Sequence, residues 1–282
     1  MQSLGCVRIY IYRVRTKTVN VQKRHTDRKM YFHDLEVTSK DYYIGYVSAY
    51  TTLTSKSRIL EVGCGEGGNL VPFAGLGCRV TGVDMAECRI RDARKYFAEV
   101  GGNAEFVCCD FAKYPTPKDE EEKYDVILLH DVIEHIPFKD KACFLKHIKA
   151  YLKERGILFV GFPAWQMPFG GHQQICRSKL CSHLPFIHLL PEFLYKSLLR
   201  LCGEEYGTVK ELESIKECRT SIELFEALAS DCGYLTVNKR YWLVNPHYKQ
   251  KFNLTPLVLP HWIGRLKYIR NFFTTSCWYI LR

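Results

Sequence analysis

Short apolar runs alternate along this chain with longer segments whose apolar residues recur at helical spacing. The short runs predict strands and the longer segments predict helices, with Thr38 or Ser39 as the N-cap of the first helix. Strands that alternate with helices pair as a parallel, doubly wound sheet with right-handed crossovers. The predicted strands are 59–62, 79–83, 104–108, 125–129 and 157–161, and the predicted helices are 41–53, 69–76, 87–100 and 139–153.

The alternation stops after the fifth strand. Residues 163–218 are rich in proline, histidine and aromatic residues, and they are too long for an ordinary connection. They follow the carboxyl end of a strand, where substrates bind in open α/β sheets. We therefore interpret them as an insertion that covers a substrate. A helix at 221–230 and strands at 236–244 and 272–281 complete the pattern.

The first predicted strand runs directly into a cluster of glycines. The acid Glu61 lies near its end, and glycines occupy positions 63, 65, 67 and 68. Such a loop lets the backbone approach a nucleotide-like ligand, because glycine adds no side chain and tolerates a positive φ. A tight strand-to-helix turn gives the same string, so the loop alone is a weak signal. The second strand also ends in an acid, Asp84, where a carboxylate would bind ribose hydroxyls.

Residues 61–67, Glu-Val-Gly-Cys-Gly-Glu-Gly, resemble the glycine motif E/D-x-G-x-G-x-G of class I S-adenosylmethionine-dependent methyltransferases. The resemblance continues in order through 82–84, 106–111, 124–129 and 156–160. It implies S-adenosylmethionine as the cofactor. It also implies a Rossmann-like α/β sheet of seven strands, mostly parallel with an antiparallel C-terminal strand, which the two late strands would close as a hairpin.

The resemblance also implies which residues bind the cofactor. Glu61, Gly63 and Gly65 are assigned to its methionine side, Asp84 to the ribose hydroxyls and Asp110 to the adenine amino group. The alternative for both aspartates is ordinary helix-cap or turn chemistry, and it has more weight for Asp110. The full predicted set is Glu61, Gly63, Cys64, Gly65, Asp84, Met85, Asp110, Phe111 and His130.

Two histidines are the candidates for a general base. Methyl transfer from a sulfonium needs a positioned and deprotonated nucleophile, and histidine titrates in the neutral range. His130 follows the fourth strand, where contact with the cofactor is as well supported as catalysis. His172 follows a Gly-Gly hinge in the aromatic segment 162–173, which can close over a substrate, so we rank it first. We interpret Glu134 and His135 as structural or cofactor-contacting residues.

Missing motifs and the distribution of charge narrow the range of possible methyl acceptors. The chain lacks the Asn/Asp-Pro-Pro-Tyr motif of amino-methylating nucleic-acid enzymes after strand four, and it lacks the Pro-Cys nucleophile of cytosine-C5 enzymes. Residues 1–29 carry eight Lys/Arg and one acid, whereas the other 32 basic and 29 acidic residues nearly cancel. No basic groove for nucleic acid is therefore indicated. We expect the acceptor to be a hydroxyl of a small molecule or glycan.

Two alternatives stay open. A lipid- or quinone-type acceptor is one, because residues 254–263 are apolar enough to meet a membrane surface, or simply to cover the core. The other is a scaffold or regulator that binds the cofactor without turnover. Intact glycines and acids in the loop favour an active enzyme.

The composition indicates the redox environment of the protein and how the chain is divided. The thirteen cysteines contain no C-x-x-C pair, which indicates free thiols in a reducing compartment, by default the cytoplasm, rather than a disulfide framework or a metal site. We interpret residues 1–29 as a basic appendage and 30–282 as the methyltransferase domain. A transit-peptide-like segment, or sequence upstream of a start at Met30, are other interpretations of the appendage.

Overall fold

A single mixed sheet organises residues 27–282, the part of the chain that the computed structural model describes. Its strands are β1 (Arg58–Val62), β2 (Arg79–Asp84), β3 (Ala104–Cys108), β4 (Tyr124–His130), β5 (Leu152–Phe162), β6 (Thr236–Val244), β7 (Leu257–Val258) and β8 (Ser276–Leu281). Their order is β3-β2-β1-β4-β5-β8-β6-β7, parallel from β3 to β5 and antiparallel beyond. The predicted doubly wound fold is confirmed. Most of the predicted appendage, 1–29, lies outside the described residues.

The antiparallel end of the sheet has one strand more than the seven predicted. The extra strand is β7, which lies in the connection between β6 and β8 and pairs with β6 over two residues. Two residues show no alternation of apolar and polar positions, so the sequence pattern carries no signal for this strand. The predicted strand at 272–281 begins later, at Ser276, because Ile269–Phe273 forms a 3-10 turn.

Helices cover both faces of the sheet. In the described part of the chain they are α1 (Arg28–Thr38), α2 (Ile44–Ser48), α3 (Val71–Gly75), α4 (Glu87–Glu99), α5 (Lys141–Lys149), α6 (Lys179–His183), α7 (Glu192–Leu201), α8 (Tyr206–Cys218), α9 (Ile222–Asp231), α10 (Tyr248–Phe252) and α11 (His261–Gly264). Side chains of α5 and α9 form the apolar core on one face, and side chains of α1, α2 and α4 form it on the other. Strand β8 serves both cores, with Tyr279 on the first face and Trp278 on the second, as the two-residue period of a strand requires.

The helical stretch before β1 begins earlier than predicted. Asp27 caps α1, which starts at Arg28 and continues through a π-helical turn, Ser39–Tyr43, into α2. The predicted N-cap at Thr38 or Ser39 is wrong, because both residues lie inside this continuous stretch. The Thr38 hydroxyl donates to a carbonyl one turn back, a local bond that lets threonine remain within a helix.

Residues between β5 and α9 form the helical insertion. Helices α6, α7 and α8 enclose a small apolar core of their own, and side chains of that core include Cys181, Tyr195, Leu199, Val209 and Leu212. The twelve cysteines within residues 27–282 are free thiols. Across the same residues, no helix is both long and apolar enough to cross a membrane.

Helix α1 is fastened to the glycine loop through a buried acid. The side chain of Glu66 is only 1% exposed, and the Nε of Arg28 donates to its Oε1 at 2.6 Å. A side chain at Gly68 would collide with the carbonyl of Phe32, so the helix backbone rests directly on the loop. Arg28 and Lys29, which the predicted boundary assigned to the appendage, thus lie in a helix that packs on the loop.

Replacing Arg28 with alanine should lower the free energy of unfolding by about 2–4 kcal/mol. A quarter of the Arg28 side chain is exposed, so the cost lies between that of a surface ion pair and that of stranding a fully buried charge. Urea unfolding measures the change. Lys29→Ala is the matched control, because the Lys29–Glu99 pair is exposed at both ends. Equal losses in the two variants would contradict the anchoring role of Arg28.

Candidate active site

The carboxylate of Asp84 joins the two loops that follow β1 and β2. Its Oδ2 accepts a hydrogen bond from the amide of Gly65 at 2.9 Å, and its Oδ1 accepts one from the amide of Ala86 at 2.8 Å. The side chain of Asp84 is buried, and Ala86 rather than Asp84 occupies the N-cap position of α4. Asp84 is therefore a bridge between loops and not the helix cap of the alternative interpretation.

The glycine loop needs its glycines for two different reasons. Gly63, Gly65 and Gly67 all have positive φ, a conformation that glycine adopts without the steric cost that other residues have. At Gly63 there is also no room for a side chain, since a Cβ there would lie 2.5 Å from Cγ2 of Val132. The loop is thus shaped to bring bare backbone to the edge of the sheet.

Glu61 provides a buried carboxylate beneath this loop. Its Oε1 accepts a hydrogen bond from the side-chain amide of Asn69 at 2.7 Å, whereas its Oε2 is buried without a partner. Burial raises the pKa of Glu61 to about 8. A cationic group placed at Oε2 would satisfy the unpaired oxygen and favour the ionised carboxylate. Its position therefore suits the ammonium group of an amino-acid moiety.

The other predicted cofactor residues lie near the ends of β1, β2 and β3. Cys64 is buried in the loop, and burial raises the pKa of its thiol. Met85 follows Asp84 directly, and its carbonyl accepts a weak hydrogen bond from the thiol of Cys108. Asp110 caps the short 3-10 turn after β3 by accepting from the Ala112 amide.

Phe111, the remaining residue of this set, points away from the loops. Its ring is buried in the core, within 4.9 Å of the ring of Tyr151 between centroids. The structure therefore places the Phe111 side chain in the core and not among the groups that a ligand would contact.

His130 is held at the end of β4 by contacts to both ring nitrogens. The hydroxyl of Tyr43, from the π-helical turn, lies 2.8 Å from Nε2, and Oδ2 of Asp131 lies 3.4 Å from Nδ1. The ring also packs against Gly161, where any side chain would collide with it. Burial raises the pKa of Tyr43 well above its usual range, so its phenol stays neutral. The sequence pattern did not single out Tyr43, since nothing there joins residue 43 to residue 130.

A second group forms where the insertion meets the loop after β4. The rings of His135 and His172 contact edge to face with centroids 5.0 Å apart. Glu134 lies beside them, buried, with neither carboxylate oxygen hydrogen-bonded. Potential ligand atoms of Glu134, His135 and His172 all lie within 4.8 Å of one another. The structure thus places His172 beside Glu134 and His135, which were predicted to be structural or cofactor-contacting residues.

Burial favours the neutral forms of two members of this trio, Glu134 and His135. Burial, with the charge of Asp131 adding to it, raises the pKa of Glu134 well above its usual range. Part of the His135 side chain reaches solvent, yet desolvation in the cleft still lowers its pKa. One carboxyl group and two imidazoles in this arrangement can pass a proton, and the same donor set could hold a divalent cation.

The Gly-Gly pair before His172 is packed rather than a free hinge. A side chain at Gly170 would collide with the carbonyl of Trp165, and one at Gly171 would collide with the ring-bearing carbon of His188. His172 itself has a left-handed backbone, φ 56°. The loop therefore packs tightly around Trp165 and His188 and holds the backbone of His172 in place. The expectation of a flexible hinge is wrong.

Comparisons with known proteins agree on one family. The family described as "Methyltransferase domain" matches residues 59–156. A ubiquinone biosynthesis O-methyltransferase of Glaesserella parasuis serovar 5 (strain SH0165) is 30% identical over 179 residues, which cover 60% of this chain and 72% of the relative. The corresponding enzyme of Pasteurella multocida (strain Pm70) is 27% identical over 146 residues, 48% of this chain and 60% of that one.

Solved structures show the same fold at low sequence identity. A putative sarcosine dimethylglycine methyltransferase from Galdieria sulphuraria aligns with a TM-score of 0.56 at 16% identity, over 87% of this chain and 85% of that chain. A magnesium protoporphyrin IX methyltransferase from Synechocystis PCC 6803, solved with bound S-adenosylhomocysteine, aligns with a TM-score of 0.53 at 16% identity, over 94% and 88%. The glycine loop, the strand order and these relatives agree. The chain belongs to the class I S-adenosylmethionine-dependent methyltransferases.

Proposed function

We propose that the protein transfers the methyl group of S-adenosylmethionine to a hydroxyl of a small-molecule or glycan acceptor. The observation that carries the proposal is the placement of two unlike groups beyond the carboxyl ends of the parallel strands. The glycine loop with Glu61 and Asp84 follows β1 and β2. The His135–His172 pair follows β4 and enters from the insertion. Ligands of open α/β sheets bind along this edge.

The first group is proposed to bind the cofactor. Each oxygen of Asp84 already accepts one amide hydrogen and retains acceptor capacity for a ribose hydroxyl. Oε2 of Glu61 would accept from the ammonium of the methionine moiety. The cofactor supplies an electrophilic methyl group on a sulfonium. The chain's own contribution is to fix that methyl group in line with the acceptor oxygen.

The second group is proposed to remove the acceptor's proton, with His172 as the base. The neighbouring His135 has a lowered pKa and stays neutral, so it does not repel the imidazolium that His172 would become. His130 is the weaker candidate, because its two ring nitrogens already face Tyr43 and Asp131. We assign His130 a positioning role at the cofactor side of the site.

A lipid- or quinone-type acceptor is the second candidate. It is supported by the names of the curated relatives, which are ubiquinone biosynthesis O-methyltransferases. A scaffold without turnover is the less supported alternative, since the His135–His172 pair adds groups that can take up a proton to the residues proposed to bind the cofactor. A cytoplasmic location and the lack of a nucleic-acid partner stay predictions.

Replacing Asp84 with alanine should weaken binding of S-adenosylhomocysteine by roughly 1–3 kcal/mol, or about 5- to 150-fold, because two amides and the ribose lose their acceptor. Isothermal calorimetry measures the affinity, and a melting curve checks that the variant is folded. Asp231→Ala, an exposed aspartate at the end of α9, is the matched control. Unchanged affinity in a folded Asp84→Ala protein would refute the ribose assignment.

Cofactor binding should strengthen as the pH rises from 6 to 8. Burial holds the proton on Glu61 up to a pKa of about 8, so an ammonium ligand must displace that proton at lower pH. By linkage, the affinity can change up to tenfold per pH unit in this window. Calorimetry across the range should give this slope for the wild type and none for Glu61→Gln. An equal slope in both proteins would place the ammonium elsewhere.

Replacing His172 with alanine should lower kcat by roughly 10²- to 10⁴-fold and leave cofactor affinity unchanged, as expected for loss of a general base. His183→Ala is the control, since His183 is an exposed histidine of the same insertion. A coupled assay of S-adenosylhomocysteine release with a hydroxyl acceptor measures the rate. Wild-type turnover in His172→Ala would refute the assignment. Loss of wild-type activity on chelation, restored by a divalent cation, would instead assign the trio to a metal.

A further inference from the structure

The polypeptide between β6 and β8 leaves an unusual amount of apolar side chain in solvent. Its exposed members include Leu257, Val258, Trp262, Tyr268, Ile269 and Phe272. Trp262 and Tyr268 are each 68% exposed, although tryptophan is on average one of the more buried residues. These exposed side chains fall within one connection of the chain, and large exposed apolar surfaces mark interaction sites in folded proteins. We call residues 252–273 the apolar C-terminal surface.

This surface is rigidly supported from below. Arg270 is buried, and its guanidinium donates to Oε1 of Glu223 at 3.0 Å and to Oε2 of Glu226 at 3.1 Å. The side-chain amide of Asn271 donates to the other oxygen of Glu223 at 2.6 Å. These contacts fix the backbone to α9, so the neighbouring Ile269 and Phe272 are held outward.

The charge of the same region has one sign. Residues 252–273 contain Arg265, Lys267 and Arg270 and no aspartate or glutamate. The acids that neutralise Arg270 come from α9, outside this stretch. Arg265 and Lys267, which lie between Trp262 and Tyr268 in the chain, have no acidic partner among the described residues. The surface therefore combines exposed aromatic and aliphatic side chains with unneutralised cations.

We propose that the apolar C-terminal surface docks the protein peripherally on an anionic lipid bilayer. Such a bilayer offers an apolar layer for Trp262 and Ile269 and a negative surface for Arg265 and Lys267. Tryptophan and tyrosine are favoured at the boundary between headgroups and acyl chains. A second copy of the chain fits less well, because a two-fold contact would set the same cations against each other.

Docking would place the acceptor side of the protein next to lipid. The ring of Phe186, from the insertion, lies 6.3 Å from the ring of Phe272 between centroids. The insertion that covers the proposed acceptor site therefore adjoins the docking surface. The inference goes beyond the proposed methyl transfer and does not rest on it, since lipid binding is measured without cofactor or acceptor.

The experiment is co-sedimentation of the full chain with phosphatidylcholine vesicles, with and without phosphatidylglycerol. The wild type should bind the mixed vesicles and bind pure phosphatidylcholine much less. Arg265→Gln with Lys267→Gln should weaken binding to the mixed vesicles by roughly 30-fold, from the usual contribution of each cation at an anionic surface. Trp262→Ser with Ile269→Ser should weaken binding to vesicles by a similar factor or more.

Lys56→Gln with Lys118→Gln is the matched control. Both lysines are exposed and precede the central strands β1 and β4, so they lie toward the amino ends of the parallel strands. The change removes the same amount of positive charge. This variant should bind as the wild type does. The proposal is overturned if the wild type does not bind, if control and test variants lose binding equally, or if none loses it. Self-association of the wild type that Trp262→Ser abolishes, without vesicle binding, would assign the surface to a second copy.

Discussion

The bridge made by Asp84 is the interaction on which the cofactor side of this protein depends. One carboxylate, buried at the end of β2, accepts amide hydrogens from the glycine loop and from the loop that starts α4. Charge-assisted bonds of this kind are among the stronger hydrogen bonds in proteins. They set the distance between two loops that sequence alone leaves independent. Without the bridge, the amides of Gly65 and Ala86 would lose the acceptor that they share.

The N-terminal helical stretch, residues 28–48, packs against the same side of the site. Arg28 neutralises the buried Glu66 within the glycine loop, and Tyr43 reaches the ring of His130 at the end of β4. This helical stretch thus contacts both the glycine loop after β1 and the last residue of β4. The π-helical turn at Ser39–Tyr43 is the local irregularity that coincides with this contact. Such turns are often found at functional sites.

The sequence predicted what local patterns encode. Five parallel strands, the glycine loop and Asp84 follow from hydrophobic runs, glycine spacing and the end of a strand. The predicted N-cap at Thr38 failed because a threonine can bond back inside a helix as readily as it caps one. The two-residue strand β7 left no periodic signal. Tyr43–His130 and Glu134–His172 join residues far apart in the chain, so only the folded structure could bring them together.

The two buried carboxyl groups of the site, Glu61 and Glu134, lie in different surroundings. Glu61 and Glu134 are both buried carboxyl groups with raised pKa values, yet only Glu61 lies beneath a loop built for close backbone approach. Glu134 lies instead beside two imidazoles, where proton exchange is available. In the proposed function, this division separates cofactor recognition from acceptor chemistry along the carboxyl ends of the parallel strands.

A crystal structure of the complex with S-adenosylhomocysteine tests the central claim most directly. The account predicts ribose hydroxyls on Asp84 with the Gly65 and Ala86 bonds retained, and the ligand's ammonium on Oε2 of Glu61. A ligand bound away from Asp84, or an Asp84 side chain that leaves both amides on binding, would contradict it.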